Sequence, residues 1–172
     1  MGEISHVKLL GVNSWFPQYY ANGRRCTTFQ NLNKFCWFGP LESERDLVTL
    51  FAFLGDCPSL ERMEVDFRDR FWNGFGDFIC MNFDEPSFVE LESGGEELHV
   101  GCLYRLKAVD MLNISGYKCE RGLLKWLLQK ALVLETLYLE FERVGDESGK
   151  ELLLEYVSGL PKASSCIQVL YS

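Results

Sequence analysis

Few side chains in this sequence could serve as a general base or be activated as a catalytic nucleophile. The histidines are His6 and His99, and an imidazole that titrates near neutral pH can act as a general base. His99 has no serine or cysteine partner at a recognisable catalytic spacing, and nucleophilic catalysis needs an assembled set of groups. We therefore expect no catalytic residues and no enzymatic activity, and a small hydrolase that uses His99 is the remote alternative.

The cysteines and acidic residues do not form the patterns of a metal site. The seven cysteines are widely spaced and contain no C-x-x-C pair, whereas a zinc site needs clustered ligands. The acidic residues from Asp66 to Glu85 lack the glycine and the terminal glutamate of a calcium loop. The glycine segments at Gly74 and Gly94 are not followed by the Gly-Lys-Ser/Thr of a phosphate loop. The sequence predicts no metal and no cofactor.

Charge and composition exclude several classes of partner. The 172 residues include 25 acidic and 17 basic side chains, with a net charge of -8. This charge argues against binding to nucleic acid or to anionic lipid, both of which depend on a surplus of lysine and arginine. No apolar stretch approaches the length needed to span a membrane, and the first residues do not form a signal peptide. We expect a protein partner, in the cytoplasm or nucleus, where unpaired cysteines stay reduced.

Internal repetition is the main positive signal. Residues 32–67 and 109–141 share one order of parts: strand, glycine turn, helix, Leu-Glu pair and strand. In both segments the helix has apolar residues at i, i+3, i+4 and i+7, which is one face of a helix. These residues are Leu47, Leu50, Phe51 and Leu54 in the first copy, and Leu124, Leu127, Leu128 and Ala131 in the second. Ser43 and Asp46 resemble a capping pair at the start of the first helix.

The second strand of each copy alternates between apolar and polar residues. Met63, Val65 and Phe67 alternate with Glu64 and Asp66, and Leu137, Leu139 and Phe141 alternate with Tyr138 and Glu140. A period of two places one set in the core and the other on an exposed face of a sheet. A leucine or its equivalent three residues earlier completes the pattern L-x-x-L-x-L. These preceding residues are Leu32, Leu60, Val109 and Leu134, and Ile4, Val7 and Leu9 form a possible earlier copy.

The order and spacing of these parts predict a leucine-rich-repeat solenoid fragment of the α/β class. Successive strands lie roughly 25 to 30 residues apart, near the upper end of leucine-rich spacing. We expect a curved, mostly parallel sheet with helices on its outer face, and the alternative is one α/β domain with a coincidental duplication. Residues 1–102 would hold irregular repeats with an insertion near 68–97 and strands near 88–91 and 98–102. Residues 103–172 would hold the C-terminal repeats and cap, ending in a strand with Ile167, Val169 and Tyr171.

Three segments resemble the C-terminal part of plant F-box/leucine-rich-repeat proteins of the FBD type. Residues 54–61, LGDCPSLE, resemble the family's helix-end step. Residues 114–117, ISGY, lead into LLKWLLQKA and VLE as in the family's next block. Residues 160–165, LPKASS, resemble its PKASP step, with Ser165 where the family often has proline. The resemblance covers most of residues 27–172 and implies the substrate-recognition arm of a ubiquitin-ligase receptor.

The F-box pattern of that family has no counterpart in residues 1–31. Because the F-box binds the ligase adaptor, we do not expect this chain to bind that adaptor. The function that we expect is a protein-interaction module. The alternative is a truncated family member without ligase activity, either a decoy or an inert fragment.

The candidate partner-binding residues are the outward strand positions and two aromatic residues. In a repeat solenoid the outward side chains of the sheet line the surface that usually meets a partner. The aromatic cluster between Phe71 and Phe83 is either core or a partner contact, because aromatic side chains contribute much of the energy at interfaces. The candidates are Glu64, Asp66, Tyr138, Glu140, Trp72 and Phe75.

Overall fold

A computed structural model of the protein describes residues 6–13, 16, 29–68, 102–142 and 147–172. The strands of the described part are β1 (Leu9–Asn13), β2 (Lys34–Phe38), β3 (Arg62–Asp66), β4 (Ala108–Ile114), β5 (Thr136–Phe141) and β6 (Gln168–Tyr171). The named helices are α1 (Glu44–Gly55), α2 (Lys118–Lys130) and α3 (Glu147–Gly159).

The six strands form one sheet in which spatial order follows chain order, and every neighbouring pair is parallel. Two parallel neighbours need a crossover connection, which is usually a helix. Helices α1, α2 and α3 lie in the connections from β2 to β3, from β4 to β5 and from β5 to β6. The predicted α/β class and parallel sheet are therefore confirmed.

Apolar side chains from alternate strand positions form two rows across the sheet. One row contains Leu10, Phe35, Met63, Val109, Leu137 and Val169, and the other contains Val12, Trp37, Val65, Met111, Leu139 and Tyr171. The members from β2 to β5 are fully buried in one core that also contains the apolar faces of α1 and α2. Alternation in the strands and the helical period thus act together, because both direct apolar groups to the same layer.

In two strands, β4 and β1, the predicted repeat pattern is displaced from the observed register. Leu106, which is fully buried, lies three residues before the first core residue of β4, and Val109 is that first core residue. In β1, Leu9 is 57% exposed, whereas Leu10 and Val12 pack against the core. Apolar side chains on both faces of β1 and β4 made two registers possible from the sequence, and a shift of one residue exchanges the faces.

Strands β3 and β4 pair directly although 46 residues separate Arg62 from its partner Ala108. Only 28 residues separate the partners Lys34 and Arg62, and the same number separates Ala108 and Thr136. No strand therefore lies between β3 and β4 in this sheet. The strands predicted at 88–91 and 98–102 lie outside the described residues, except for Cys102, which is not in a strand. The predicted boundary between 102 and 103 falls between two paired strands.

Local contacts fix where α1 begins and how it packs on α2. Ser43 and Asp46 form the predicted capping box: the Ser43 hydroxyl accepts the Asp46 N–H, and the Asp46 carboxylate accepts the Ser43 N–H. The rings of Phe51 and Trp126 stack between the two helices with centroids 4.2 Å apart. The helices that cover the sheet are therefore packed against each other as well as against the strands.

Main-chain hydrogen bonds join the turns before successive strands in a repeated pattern. In each turn one carbonyl accepts the N–H groups of two successive residues in the following turn, at 2.8–3.2 Å. The acceptors are Lys8, Asn33, Glu61 and Lys107, and their donor pairs are residues 33 and 34, 61 and 62, 107 and 108, and 135 and 136. We call this series the carbonyl relay. The same connection is thus made four times across the sheet.

Candidate functional site

The strand side chains on the side of the sheet away from the helices form the candidate site. They lie in two rows, one with Lys34, Arg62, Ala108, Thr136 and Gln168, and one with Cys36, Glu64, Asp110, Tyr138 and Leu170. We call this surface the open face. The buried apolar residues of the named helices share one core cluster with residues of the opposite rows, and none of these open-face positions belongs to that cluster.

Charged side chains are concentrated on the part of the open face formed by β2, β3 and β4. Lys34 Nζ lies 3.0 Å from Glu64 Oε2, and the two side chains are 35% and 26% exposed. The hydrogen bond to Glu64 raises the pKa of Lys34. Arg62 is the strand partner of Lys34, and Asp110 is the strand partner of Glu64. Cations therefore occupy one row and carboxylates the next.

Asp110 is a half-buried carboxylate beside another carboxylate. Burial raises its pKa, Arg62 and Lys34 oppose this rise, and Glu64 adds to it. No described residue donates a hydrogen bond to its side chain. A cationic group from outside the chain could therefore approach both Asp110 and Glu64 without having to displace a hydrogen-bond donor from Asp110.

Two buried cysteines, Cys36 and Cys57, are poor candidates for reactive groups. Cys36 lies in the carboxylate row but is buried, and burial raises the pKa of its thiol. Burial also raises the pKa of Cys57 at the end of α1. Because the thiolate is the nucleophile, a raised pKa makes both residues poor nucleophiles. Both pack as small buried side chains.

The structure places the predicted binding residues in different environments. Glu64 and Tyr138 lie in the same row of the open face, on either side of Asp110. Glu140 is half-buried on β5, and the Tyr138 hydroxyl lies 2.9 Å from Ser172 Oγ. Trp72 and Phe75 lie outside the described residues, as does His99.

The outward orientation predicted for Asp66 is wrong, because its side chain does not reach the surface. The residue is 0% exposed, and its carboxylate accepts Asn113 Nδ2 at 2.7 Å and the Arg68 N–H at 3.1 Å. Strand alternation predicted an outward side chain, but an irregularity in β4 brings the Asn113 amide onto it. A partner cannot contact the Asp66 carboxylate in this arrangement.

Sequence reasoning missed Lys34, Arg62 and Asp110. Lys34 and Arg62 begin their strands, and only the register shows that they are neighbours. The repeat pattern placed Val109 before the strand, and that register leaves Asp110 out of the alternating set. The signal that could have found it is the match of L-x-x-V-x-M at Leu106 to L-x-x-M-x-V at Leu60.

In the part of the chain that the structure describes, no three histidine, cysteine, aspartate or glutamate side chains are grouped so that they could hold a metal ion. Within those same ranges, no helix is both long enough and apolar enough to cross a bilayer. Comparisons with protein-family models, with curated proteins and with solved structures found no match to this chain.

Proposed function

We propose that this chain is a protein-interaction module that binds a protein partner through its open face. The observation that carries the proposal is the row of Glu64, Asp110 and Tyr138, which lies on the side of the sheet that the helices leave uncovered. A sheet surface with charged and aromatic side chains in register offers both specific charge contacts and apolar contact area. The net charge of -8 disfavours nucleic acid as the partner.

We further propose that the sheet is part of a leucine-rich-repeat solenoid similar to the recognition arm of an F-box ubiquitin-ligase receptor. Three features support this: strand order that follows chain order, helices in the crossovers, and the carbonyl relay. Two of the segments that resemble the FBD-type family also occupy equivalent positions in the order of helices and strands. Residues 54–61 and 160–165 both connect the end of a helix to the next strand.

Two forms of the proposed role differ in whether the chain also binds the ligase adaptor. A chain that binds the targets of a ligase but not its adaptor would act as a decoy, and this is the second form of the same proposal. A binding assay with purified adaptor separates the two forms. Adaptor binding would indicate a complete receptor, and its absence together with target binding would indicate a decoy.

Neutralising the two open-face carboxylates tests the proposal. Proteins that bind the wild-type chain are identified by affinity capture, and their affinities are then measured for Glu64→Gln/Asp110→Asn. We expect binding to weaken by about tenfold or more, because a close charge pair across an interface contributes roughly 1.5 kcal/mol or more.

The matched control is Glu151→Gln/Glu155→Gln, which removes the same charge from exposed positions on α3. Both variants should retain the wild-type circular dichroism spectrum. The control should bind with unchanged affinity. Equal affinities for all three proteins would show that the open face is not the binding surface.

A further inference from the structure

The turn between β4 and α2 is held by one oxygen atom of a buried side chain. Glu120 Oε2 accepts the N–H groups of Ser115, Gly116 and Tyr117, at 3.0, 2.6 and 3.0 Å. Glu120 is only 4% exposed. Gly116 has a φ of +84°, a conformation that glycine adopts without a steric penalty. The three N–H groups converge because the turn has this shape.

A second carboxylate binds the same turn from the next strand. The Ser115 hydroxyl donates to Glu142 Oε2 at 2.6 Å, and the Glu142 N–H donates to the Ile114 carbonyl at 3.1 Å. Ser115 is therefore bonded to two carboxylates, one on α2 and one directly after β5. Two like charges that share one residue repel each other, so the charge of Glu142 disfavours ionisation of Glu120.

Opposing effects act on the Glu120 carboxyl group. Burial raises the pKa of Glu120 to about 7, the three N–H bonds counteract this rise, and the charge of Glu142 adds to it. A carboxyl group that is both buried and well hydrogen-bonded can thus change its charge near neutral pH, far above the ordinary glutamate value of about 4.3.

Three contacts of charged groups on the elements around α2 involve residues other than Glu120. On α1, Glu44 pairs with Lys118 Nζ at 3.1 Å. On α3, the Tyr156 ring lies 5.9 Å from the Arg121 guanidinium carbon. Lys150, also on α3, lies 4.9 Å from the centroid of the Phe141 ring.

We propose that Glu120 is a proton-responsive clasp, so that the gain or loss of one proton at its carboxyl group changes how firmly the Ser115–Tyr117 turn is held. The ionised carboxylate is the stronger acceptor for the three N–H groups, but it is shielded from water and repelled by Glu142. The protonated group loses that repulsion and accepts weaker hydrogen bonds. Because Ser115 also binds Glu142, protonation of Glu120 also affects the contact between the turn and the end of β5.

The amide signals of the turn report this proton directly. In wild-type protein we expect the NMR signals of Ser115, Gly116 and Tyr117 to shift together with a midpoint near pH 7. Glu120→Gln retains an acceptor oxygen but cannot ionise, so the shared titration should disappear. The control, Asp46→Asn, alters the exposed cap of α1 and should leave the titration at the turn unchanged. Signals that do not change across neutral pH in the wild type would overturn the proposal.

A second variant tests the coupling to the neighbouring strand. Glu142→Gln removes the charge that raises the pKa of Glu120, so the midpoint for the turn should move to lower pH. An unchanged midpoint would contradict the clasp even if Glu120→Gln did not fold.

Stability provides an independent readout of the same proton. The folded pKa of about 7 lies above the unfolded value, so the folded state binds the proton more tightly. Glu120 therefore contributes stability that is fully present below about pH 4.3 and is lost as the pH rises through about 7. The free energy of unfolding should decline less over this range in Glu120→Gln than in the wild type. Equal declines would count against the clasp.

Discussion

The Asp66 carboxylate is tolerated in the core because one residue of the next strand adopts an unusual backbone conformation. Asn113 has a φ of 58°, in the left-handed region that asparagine enters more readily than most residues. The register between β4 and β5 shifts at this point. The Asn113 amide thereby turns toward Asp66 and supplies the hydrogen bond that a buried carboxylate needs.

Substitution of Asn113 tests this arrangement. Asn113→Gly keeps the backbone conformation but removes the amide, and we expect it to lower the free energy of unfolding by about 1–3 kcal/mol. Asn113→Asp also permits the conformation but places a second carboxylate beside Asp66, so we expect a larger loss that shrinks as the pH falls. Urea unfolding at neutral and acidic pH measures both effects. An Asn113→Asp protein as stable as Asn113→Gly at neutral pH would contradict the account.

Individual residues of the site were predictable only where strand alternation was regular. Glu64 and Tyr138 alternate with buried neighbours in strands of one clear register, and the structure places both on the open face. Asp66 satisfies the same alternation, but the conformation of Asn113, which is distant in sequence, buries it. No local pattern encodes that contact, so sequence reasoning could not have found it.

At the scale of elements, the helical period was the most dependable guide. The predicted faces of α1 and α2 are buried, because a spacing of i, i+3, i+4 and i+7 fits only one side of a helix. Strand β4 was less predictable, since Val109, Met111, Leu112 and Ile114 are apolar on both faces. Its register is set by pairing with β3 and β5, which is information from outside the strand.

The contact between α1 and α2 gives a prediction at this scale. Phe51 and Trp126 stack with an angle of 10° between their rings, and aromatic pairs contribute about 0.5–1.5 kcal/mol beyond the area that they bury. A double-mutant cycle with Phe51→Leu and Trp126→Leu should give a coupling free energy in that range in chemical unfolding. In a control cycle, Phe51→Leu is combined with Ser158→Ala, an exposed position on α3. A coupling no larger than in the control would mean that the rings contribute only their buried area.

At the scale of the whole molecule, the edge strand β6 differs from the central strands of the sheet. Strand β6 pairs only with β5 among the described strands, and Leu170 and Tyr171 are 49% and 58% exposed. Residues 163–172 contain no charged side chain, although charges commonly protect the edges of sheets. The central strands have a neighbour on both sides and a fully buried core row.

This difference predicts graded rather than uniform stability. An edge strand is stabilised by a neighbour on one side only, so it opens more readily than a strand with neighbours on both sides. We expect the backbone amides of β6 to exchange with deuterium faster than those of β3 under native conditions. Mass spectrometry of peptic fragments measures this difference. Equal protection of both strands would indicate that the sheet opens as a single unit.

The carbonyl relay has a consequence for how this architecture can vary. It uses main-chain atoms alone, so it places little demand on which side chains occupy those turns. Paired residues lie 28 positions apart between β2 and β3 and 46 positions apart between β3 and β4, yet both pairs of strands adopt the same alignment. Insertions or deletions can therefore change the number of residues between strands while the surface that the strands display is preserved. A designer could graft a foreign segment into the long connection and expect the pattern of Lys34, Glu64 and Asp110 to survive.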